Sequence, residues 1–226
     1  MWPIEAESLI DVQQELARAA VEPWRPARDE LQIGGCWVCF PRGLRGCGRP
    51  GDVAWAAAVV MRGGLVLDRV VRRGVAGAPY RPGLLALRIG GLMEATVRSL
   101  STPPDVLLLD ATARDHPRGA GLALHLGAEL GLPTVGITHR PLLAQGEWPE
   151  DGRGDISPLR LGETVVGCWM RTRPGVRPVV VHPGWRIDLA TAVDVVASTT
   201  GQRRTPEPLR HARRFARSAR SAADGE

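Results

Sequence analysis

The spacing of hydrophobic positions changes character along the chain. Apolar residues recur at helical spacing over residues 5–20, which predicts an amphipathic helix. Strands are then predicted over residues 31–40, 53–61 and 65–71. Gly63 and Gly64 form a two-residue hairpin turn between the last two, because glycine tolerates the positive φ of such turns. The chain therefore opens with a helix followed by an antiparallel meander.

The second half alternates helical periodicity with short apolar runs, which are typical of buried strands. Helices are predicted over residues 82–100, 119–130, 188–198 and 206–220. Strands are predicted over residues 106–109 and 132–137, and as a pair over 164–170 and 176–181. Three antiparallel strands followed by alternating helices and parallel strands predict an α/β domain with a mixed sheet. Functional sites in such sheets gather at the carboxyl ends of central strands, where Asp110 stands.

Composition narrows the class of protein. The 226 residues are 44% hydrophobic and 23% charged, which is ordinary for one globular domain. No run approaches 18 apolar residues, so a membrane-spanning helix is not expected. Four cysteines are too few for a disulfide scaffold, and the first residues lack the basic cluster of a signal peptide. We therefore expect a cytoplasmic protein, with a monomer as the default oligomeric state.

The positive charge is concentrated near the end of the chain. The formal net charge is +5, and all 29 basic residues are arginine. Residues 202–220 contain seven of these arginines and only one acid, Glu207. Such a segment suits an anionic partner, most simply nucleic acid, although a solvated tail has the same composition. We divide the chain into a domain over residues 1–205 and a basic helix and tail over residues 206–226.

Asp110 and the loop after it supply the candidate chemistry. A carboxylate that ends a buried strand can bind a metal ion or act as a general base, or it can simply cap a turn. His116 could contact a phosphate, tune a metal-bound water or serve as a structural hydrogen-bonding residue. Arg118 is suited to clamp a phosphate.

The cysteines raise a different possibility, a zinc site formed by Cys36, Cys39 and Cys47. Residues three apart on a strand point to opposite faces, so Cys36 and Cys39 cannot bind one ion unless the strand breaks. We therefore interpret them as small buried hydrophobic residues.

Several segments together resemble the endonuclease V family. They lie in the family's order and spacing: Pro79–Leu85 (PYRPGLL), Pro104–Asp110 (PDVLLLD), His116–Arg118 (HPR), Gly121–Gly127 (GLALHLG), Leu132–Ile137 (LPTVGI), Pro183–Ile187 (PGWRI) and Pro206–Arg210 (PEPLR). The resemblance covers nearly the whole chain. It implies a ribonuclease-H-like fold, in agreement with the mixed sheet.

The resemblance also implies an activity and a set of contacts. Members of the family are Mg²⁺-dependent nucleases of the DNA-repair type that recognise hypoxanthine, as deoxyinosine or inosine, and cut the strand nearby. The family's aromatic wedge corresponds to Pro79-Tyr80-Arg81-Pro82, in which Tyr80 would stack where a base has been pushed out and Arg81 would contact a phosphate. The backbone at Gly83 and Gly121 would line the pocket for that base.

Two of the three carboxylates that the family uses are replaced. Trp37 stands where the first-strand aspartate belongs, and Ile89 stands where the glutamate after the wedge belongs, so only Asp110 remains. His139 replaces a lysine that would face the nucleic acid, and Arg213 replaces a late histidine. Mg²⁺ needs hard oxygen ligands, whereas Trp37 and Ile89 add apolar bulk. We therefore expect Asp110 to bind metal weakly, if at all, and expect Asp110 and His116 to be remnants of a catalytic site.

Three hypotheses follow for the function. The first is an endonuclease V homologue, a pseudoenzyme, that binds DNA or RNA at deaminated bases and has lost phosphodiester cleavage. The second is an active nuclease with a rebuilt site, in which Asp110 with Asp52 or His116 binds Mg²⁺ or, better, a softer ion such as Mn²⁺. The third is a scaffold recruited for protein interactions. The retained wedge favours the first hypothesis, which needs no cofactor.

Overall fold

A computed structural model describes residues 2–28 and 30–224. The helices are α1 (Ala6–Arg18), α2 (Leu85–Arg98), α3 (Leu122–Leu130), α4 (Leu189–Thr199) and α5 (Glu207–Ala223). The strands are β1 (Ile33–Cys39), β2 (Val53–Arg62), β3 (Leu65–Val75), β4 (Val106–Leu109), β5 (Thr134–Thr138), β6 (Ile156–Leu161), β7 (Thr164–Met170) and β8 (Val179–Pro183).

All eight strands form one mixed sheet in the order β3-β2-β1-β4-β5-β8-β7-β6. The first three strands pair antiparallel, and β4 and β5 add parallel to β1. Gly63 and Gly64 form the β2–β3 turn with φ of 54° and 83°, as predicted. The mixed sheet inferred from the sequence is confirmed.

Helices cover the sheet on both faces. On one face, α1, α2 and α3 pack through Leu9, Met93 and Leu122 against Leu107 and Leu109 of β4. On the other face, apolar residues of α4 and α5 pack against the alternate positions of β4, Val106 and Leu108. The alternation arises because successive side chains of a strand point to opposite faces. A wholly apolar β4 is therefore buried on both sides, and Asp110 is the first polar residue that follows it.

Strand β3 extends to Val75 rather than to residue 71, and β8 begins at Val179 rather than at residue 176. Three further elements differ from the sequence prediction. The prediction missed β6, whose Pro158 is tolerated because the strand lies at the edge of the sheet. Helix α2 begins at Leu85 because Gly83, at φ +75°, is not helical. Helix α3 begins at Leu122 because Gly119 has φ +69° and Gly121 is extended. Both delayed starts leave loop backbone free to face the site described below.

Helix α5 lies directly on the meander. Gly35 of β1 makes this close approach possible, because a Cβ there would lie 2.4 Å from the backbone carbon of Pro208. On the side of α5 that faces the sheet, Leu209, Ala212 and Ala216 are buried. Across the described residues, no helix combines the length and the apolar character needed to cross a membrane.

Candidate nucleic-acid interface

A small cavity of about 200 Å³ opens beside the end of β4. It brings together five of the residues singled out from the sequence, Tyr80, Pro82, Gly83, Asp110 and His116. Its remaining lining residues are Gln13, Leu85, Ala86, Ala111, Thr112, Leu122, Thr138 and Leu142. The cavity therefore combines the wedge, the loop after β4 and the starts of two helices.

The carbonyl oxygen of Gly83 is the centre of a hydrogen-bond network at this cavity. It accepts from Arg118 Nη2 at 2.6 Å and from Gln13 Nε2 at 3.1 Å, and His116 Nε2 lies 3.1 Å away. Arg118 also donates through Nε to Gln13 Oε1 at 2.5 Å. Arg118 was predicted to clamp a phosphate, but here its guanidinium holds the loop that precedes α2. It is a positioning residue in this structure.

The surroundings of His116 determine its protonation. Its Nδ1 accepts from the backbone N–H of Arg118 at 3.3 Å, which assigns the ring proton to Nε2, facing the carbonyl oxygen of Gly83. Burial, followed by the positive charge of Arg118, lowers the pKa of His116 to about 4. The imidazole is therefore neutral near pH 7, and its two nitrogens are used in holding the cavity wall.

The wedge projects from the surface next to the cavity. The side chain of Tyr80 is 46% exposed, and Arg81 and Pro82 are exposed beside it. The backbone behind them is fixed, because Tyr80 N–H donates to Cys47 O at 2.7 Å and Arg88 Nη1 donates to Ala78 O at 2.6 Å. An exposed aromatic ring on an anchored loop can stack on a base without a large loss of conformational entropy.

Two glycines keep the loop after β4 pressed against the sheet and α3. A Cβ on Gly121 would lie 2.4 Å from the carbonyl oxygen of Thr112, and a Cβ on Gly136 would lie 2.1 Å from that of Ala111. Both carbonyls belong to residues that line the cavity. The cavity wall thus depends on backbone contacts that only glycine permits.

Trp37 occupies the position beside Asp110 at the other side of this site. The register of β1 and β4 pairs Cys36 with Leu109, so the next residues, Trp37 and Asp110, are neighbours. The indole Nε1 donates to Asp110 Oδ2 at 3.1 Å. The indole ring packs against the apolar cluster that contains Ala216 of α5, and the guanidinium carbons of Arg213 and Arg217 lie 5.5 and 5.4 Å from its centroid. One oxygen of the remaining carboxylate therefore faces a hydrogen-bond donor.

Ile89 lies one turn along α2 from Leu85 and Ala86, which line the cavity. Its side chain packs against the core cluster on that face of the sheet. Among the described residues, no group of three or more His, Cys, Asp or Glu side chains is arranged to hold a metal ion. A hard divalent cation prefers several oxygen ligands, so the Asp110–Trp37–Ile89 arrangement does not fit Mg²⁺.

The structure does not bring Asp52 to Asp110 and His116. Asp52 Oδ2 instead accepts from Arg88 Nη2 at 3.0 Å and from the backbone N–H of Arg49 at 2.6 Å. These two hydrogen bonds, the backbone one first, lower the pKa of the Asp52 carboxyl. The carboxylate thus secures Arg88, whose other donors hold the wedge loop.

His139 lies on the Asp110 side of the site but does not line the cavity. Burial, followed by the positive charges of Arg204 and Arg213, lowers its pKa, and Asp110 opposes this effect. His211, two residues before Arg213, faces Arg214 and Phe215 instead. Arg213 therefore occupies the place near Asp110 that the resemblance gives to a histidine.

Two residues of the site were missed from the sequence. Gln13 was interpreted only as part of the periodicity of α1, and its buried amide reaches the Gly83 carbonyl. Asp115 is fully buried and accepts from the backbone N–H groups of Leu142, Leu143 and Ala144 at 2.7 to 2.9 Å. It thereby fixes the loop whose Leu142 lines the cavity. A polar residue on an otherwise apolar helix stripe was the one available signal for Gln13.

The cysteines do not form a zinc site. Cys36 packs in the cluster beneath α2 and α3, whereas Cys39 packs with Trp55 beneath α5. Burial raises the pKa of the Cys36 thiol to about 12. The opposite orientation of the two side chains agrees with their spacing on a strand, and both are free.

Comparisons with known proteins place this arrangement in a family. The profile of the family Endonuclease V matches residues 38–214. An endonuclease V from Streptomyces coelicolor is 36% identical over 221 residues, which cover 96% of this chain and 92% of the relative. One from Nocardia farcinica is 43% identical over 161 residues, covering 70% of each chain.

Solved structures give the same result. The endonuclease V of Streptomyces avermitilis is similar with a TM-score of 0.87 at 35% identity, covering 99% of this chain and 96% of that one. The catalytic domain of human endonuclease V has a TM-score of 0.86 at 29% identity and 99% coverage of both chains. Endonuclease V of Ciona intestinalis, solved in complex with a 24mer DNA containing an inosine followed by a ribo-adenosine, has a TM-score of 0.76 at 22% identity and covers 96% and 98%. These likenesses confirm the ribonuclease-H-like fold, and the chain belongs to the endonuclease V family.

Proposed function

We propose that this protein binds DNA or RNA strands at deaminated bases and no longer cleaves them. The observation that carries the proposal is the 3.1 Å hydrogen bond from Trp37 Nε1 to Asp110 Oδ2. It directs an N–H donor at the one remaining carboxylate, where a cation would need a free oxygen. Ile89, whose side chain packs against the apolar core, supplies no ligand either.

The binding half of the proposal is supported by the parts of the site that remain. Tyr80 is exposed beside a cavity of about 200 Å³, and neutral His116, Arg118 and Gln13 hold the Gly83 carbonyl at its rim. The Ciona relative, whose fold is similar, was solved with an inosine-containing DNA. A base turned out of its strand needs such a recess and an aromatic surface to replace its lost stacking.

The catalytic half of the proposal rests on ligand chemistry. Two-metal hydrolysis requires ions about 4 Å apart that share carboxylate ligands. Here Asp110 accepts from an indole N–H, and the guanidinium of Arg213 lies over the same indole ring. The indole N–H and the aliphatic side chain of Ile89 offer no lone pair to a cation, and the positive charge of Arg213 would repel one.

The test uses labelled strands of one sequence that contain either inosine or adenosine at the same position. Affinity is measured by fluorescence anisotropy, and cleavage by denaturing gel, in EDTA, Mg²⁺ and Mn²⁺. We expect tighter binding of the inosine strand, equal affinity in all three buffers and no cleavage. Equal binding of both strands would contradict the proposed recognition of deaminated bases. Cleavage that depends on metal and disappears in Asp110→Ala would contradict the proposed loss of hydrolysis.

The wedge gives a matched pair of variants for the same assay. Tyr80→Ala removes the stacking ring, and we expect it to weaken binding of the inosine strand about tenfold. Tyr80→Phe keeps the ring and should bind as the unaltered protein does. An equal loss in both variants would show that the hydroxyl, rather than the ring face, makes the contact.

A further inference from the structure

Helix α5 presents arginines along one face. Positions 210, 213, 214, 217 and 220 recur every three or four residues, which places them on one side of a helix. Together with Arg42 from the loop after β1 they border an open groove of about 640 Å³. The other lining residues are Ser218 and Ser221.

Little in the structure neutralises this groove. Arg210 pairs with Glu207 at 2.5 Å, whereas Arg42 donates to Ser221 Oγ and Arg220 to the carbonyl oxygen of Phe40. No carboxylate in the described part of the chain pairs with the three central arginines, 213, 214 and 217. Burial and then the charges of neighbouring arginines lower the pKa of Arg217. Like charges held this close favour an anionic ligand.

Trp37 links the groove to the cavity. Arg213 and Arg217 lie over the face of Trp37, and the edge of the same ring contacts Asp110, which lines the cavity. A strand whose base occupies the cavity can thus extend its backbone into the groove without leaving the protein surface. This continuity favours a nucleic-acid strand over an acidic protein segment as the occupant.

The length of the groove sets how many phosphates it can hold. The ten steps from Arg210 to Arg220 span about 15 Å along the helix axis at a rise of 1.5 Å per residue. Phosphates of one strand recur about every 3.4 Å along a duplex axis. The arginine face therefore matches about four consecutive phosphates.

We propose that this groove binds about four consecutive phosphates next to the recognised base, on the same strand, and that it does so without a metal ion and irrespective of base sequence. The proposal rests on the proposed function and adds the phosphate contacts that anchor the strand. Guanidinium groups that lie over Trp37 then provide the positive charge that the family resemblance assigns to metal ions. Binding divides into a base-reading part at the cavity and a phosphate-binding part on α5.

The experiment measures affinity against salt concentration in EDTA, for the inosine and adenosine strands. Arg213→Gln/Arg217→Gln removes two contacts, and Arg42→Gln/Arg214→Gln removes two others without touching Trp37. Each double variant should lower the slope of log affinity against log salt by about 1.4 to 1.8, and affinity about 15- to 30-fold at 0.15 M salt. Both strands should be affected alike, so their affinity ratio should stay constant.

The control is Arg153→Gln/Arg173→Gln, which removes the same charge from exposed loops beside β6 and β7, at the far end of the sheet. Its salt slope should match that of the unaltered protein, and melting temperatures confirm that all variants fold. Unchanged slopes in both α5 variants would overturn the proposal. Displacement of the strand by polyglutamate at equal charge concentration would overturn it in favour of an acidic protein partner. The affinity ratio of the two strands reports on the cavity alone, so failure of the proposed function is separately visible.

Discussion

The two sides of the Asp110 site are built in different ways. On the cavity side, His116 lies at hydrogen-bond distance from the Gly83 carbonyl, and Gly121 lies against the backbone of Thr112. On the β1 side, Trp37 donates to Asp110 and packs against α5. The two sides differ in whether they depend on backbone geometry or on particular side chains.

The cavity is built mostly from backbone geometry, and the fold must keep that geometry to remain folded. The metal site that the resemblance implies depends on side-chain functional groups, which can be replaced without moving a strand. Trp37 and Ile89 even add apolar contacts. A binding function can therefore persist in this fold after hydrolysis is lost, and the following predictions test that separation.

The largest effect should come from rebuilding the β1 side. Trp37→Asp/Ile89→Glu/Arg213→His places carboxylates where the resemblance expects them and removes the guanidinium that lies over Trp37. We expect metal-dependent cleavage of the inosine strand at least about a thousandfold above the unaltered chain, since bound metal ions lower such barriers by several kcal/mol. A denaturing gel with Mg²⁺ or Mn²⁺ measures it.

The matched control for this variant is Trp37→Asn/Ile89→Gln/Arg213→His, which has the same side-chain sizes but no new carboxylates. It should remain inactive, and its melting temperature corrects for the lost packing of Trp37. Cleavage by both variants would show that Arg213, rather than the missing carboxylates, suppresses activity. No cleavage by a folded carboxylate variant would place the defect elsewhere, for example in the loop that begins at Ala111.

A smaller effect is expected from crowding the cavity wall. In Gly121→Ala the new methyl group would meet the Thr112 carbonyl oxygen at 2.4 Å. Such overpacking costs about 1–3 kcal/mol, and here it also displaces a residue that lines the cavity. We expect lower stability in urea denaturation together with weaker binding of the inosine strand.

Gly91→Ala is the control substitution for crowding. The new Cβ would make only an ordinary contact, 3.6 Å from Trp2. The substitution also removes a glycine from the middle of α2. It should raise stability by about 0.5–1 kcal/mol and leave binding unchanged. If Gly121→Ala behaves in the same way, the tight contact at Thr112 does not limit the cavity.

The network around Gly83 should make stability depend on pH. The pKa of His116 is lowered to about 4 from 6.5, so the unfolded chain binds the extra proton between these values. Its contribution is complete above pH 6.5 and is lost as the pH falls towards 4. The loss is on the order of 2 kcal/mol after allowance for solvent screening.

Urea denaturation at pH 7 and pH 4.5 measures this loss, and His116→Gln should show a smaller difference between the two. The variant keeps part of the pH dependence because burial also lowers the pKa of His182 to about 4. An identical pH dependence in both proteins would mean that His116 is not held neutral by its surroundings.

Most of the fold could be predicted from the sequence because its signals are local. The apolar run of β4 and the two glycines of the β2–β3 turn each determine one conformation. Asp110 could be identified as a candidate site residue because it follows a buried strand. Trp37 could be placed at the position of a family aspartate because its neighbours match a motif.

The parts that could not be predicted depend on partners distant in the chain. Gln13 reaches a carbonyl 70 positions away. Asp115 accepts from three backbone N–H groups of a loop that has no periodicity. The role of Asp52 was unpredictable for the same reason, because its partner Arg88 lies on α2, 36 positions further along.

The smallest effect is expected from substituting Asp52. The result distinguishes two roles for this carboxylate, as a partner of Arg88 or as a metal ligand. If Asp52 secures Arg88 and the wedge loop, Asp52→Asn should shift the melting temperature by no more than about 3 °C and reduce the preference for inosine slightly. Any affinity for Mn²⁺, measured by calorimetry, should be the same before and after the substitution. Arg88→Gln should reproduce the change in preference, because Arg88 makes the contact with Ala78. A loss of Mn²⁺ binding in Asp52→Asn alone would instead show that Asp52 is a metal ligand, and it would support the hypothesis of a metal site formed by Asp52 and Asp110.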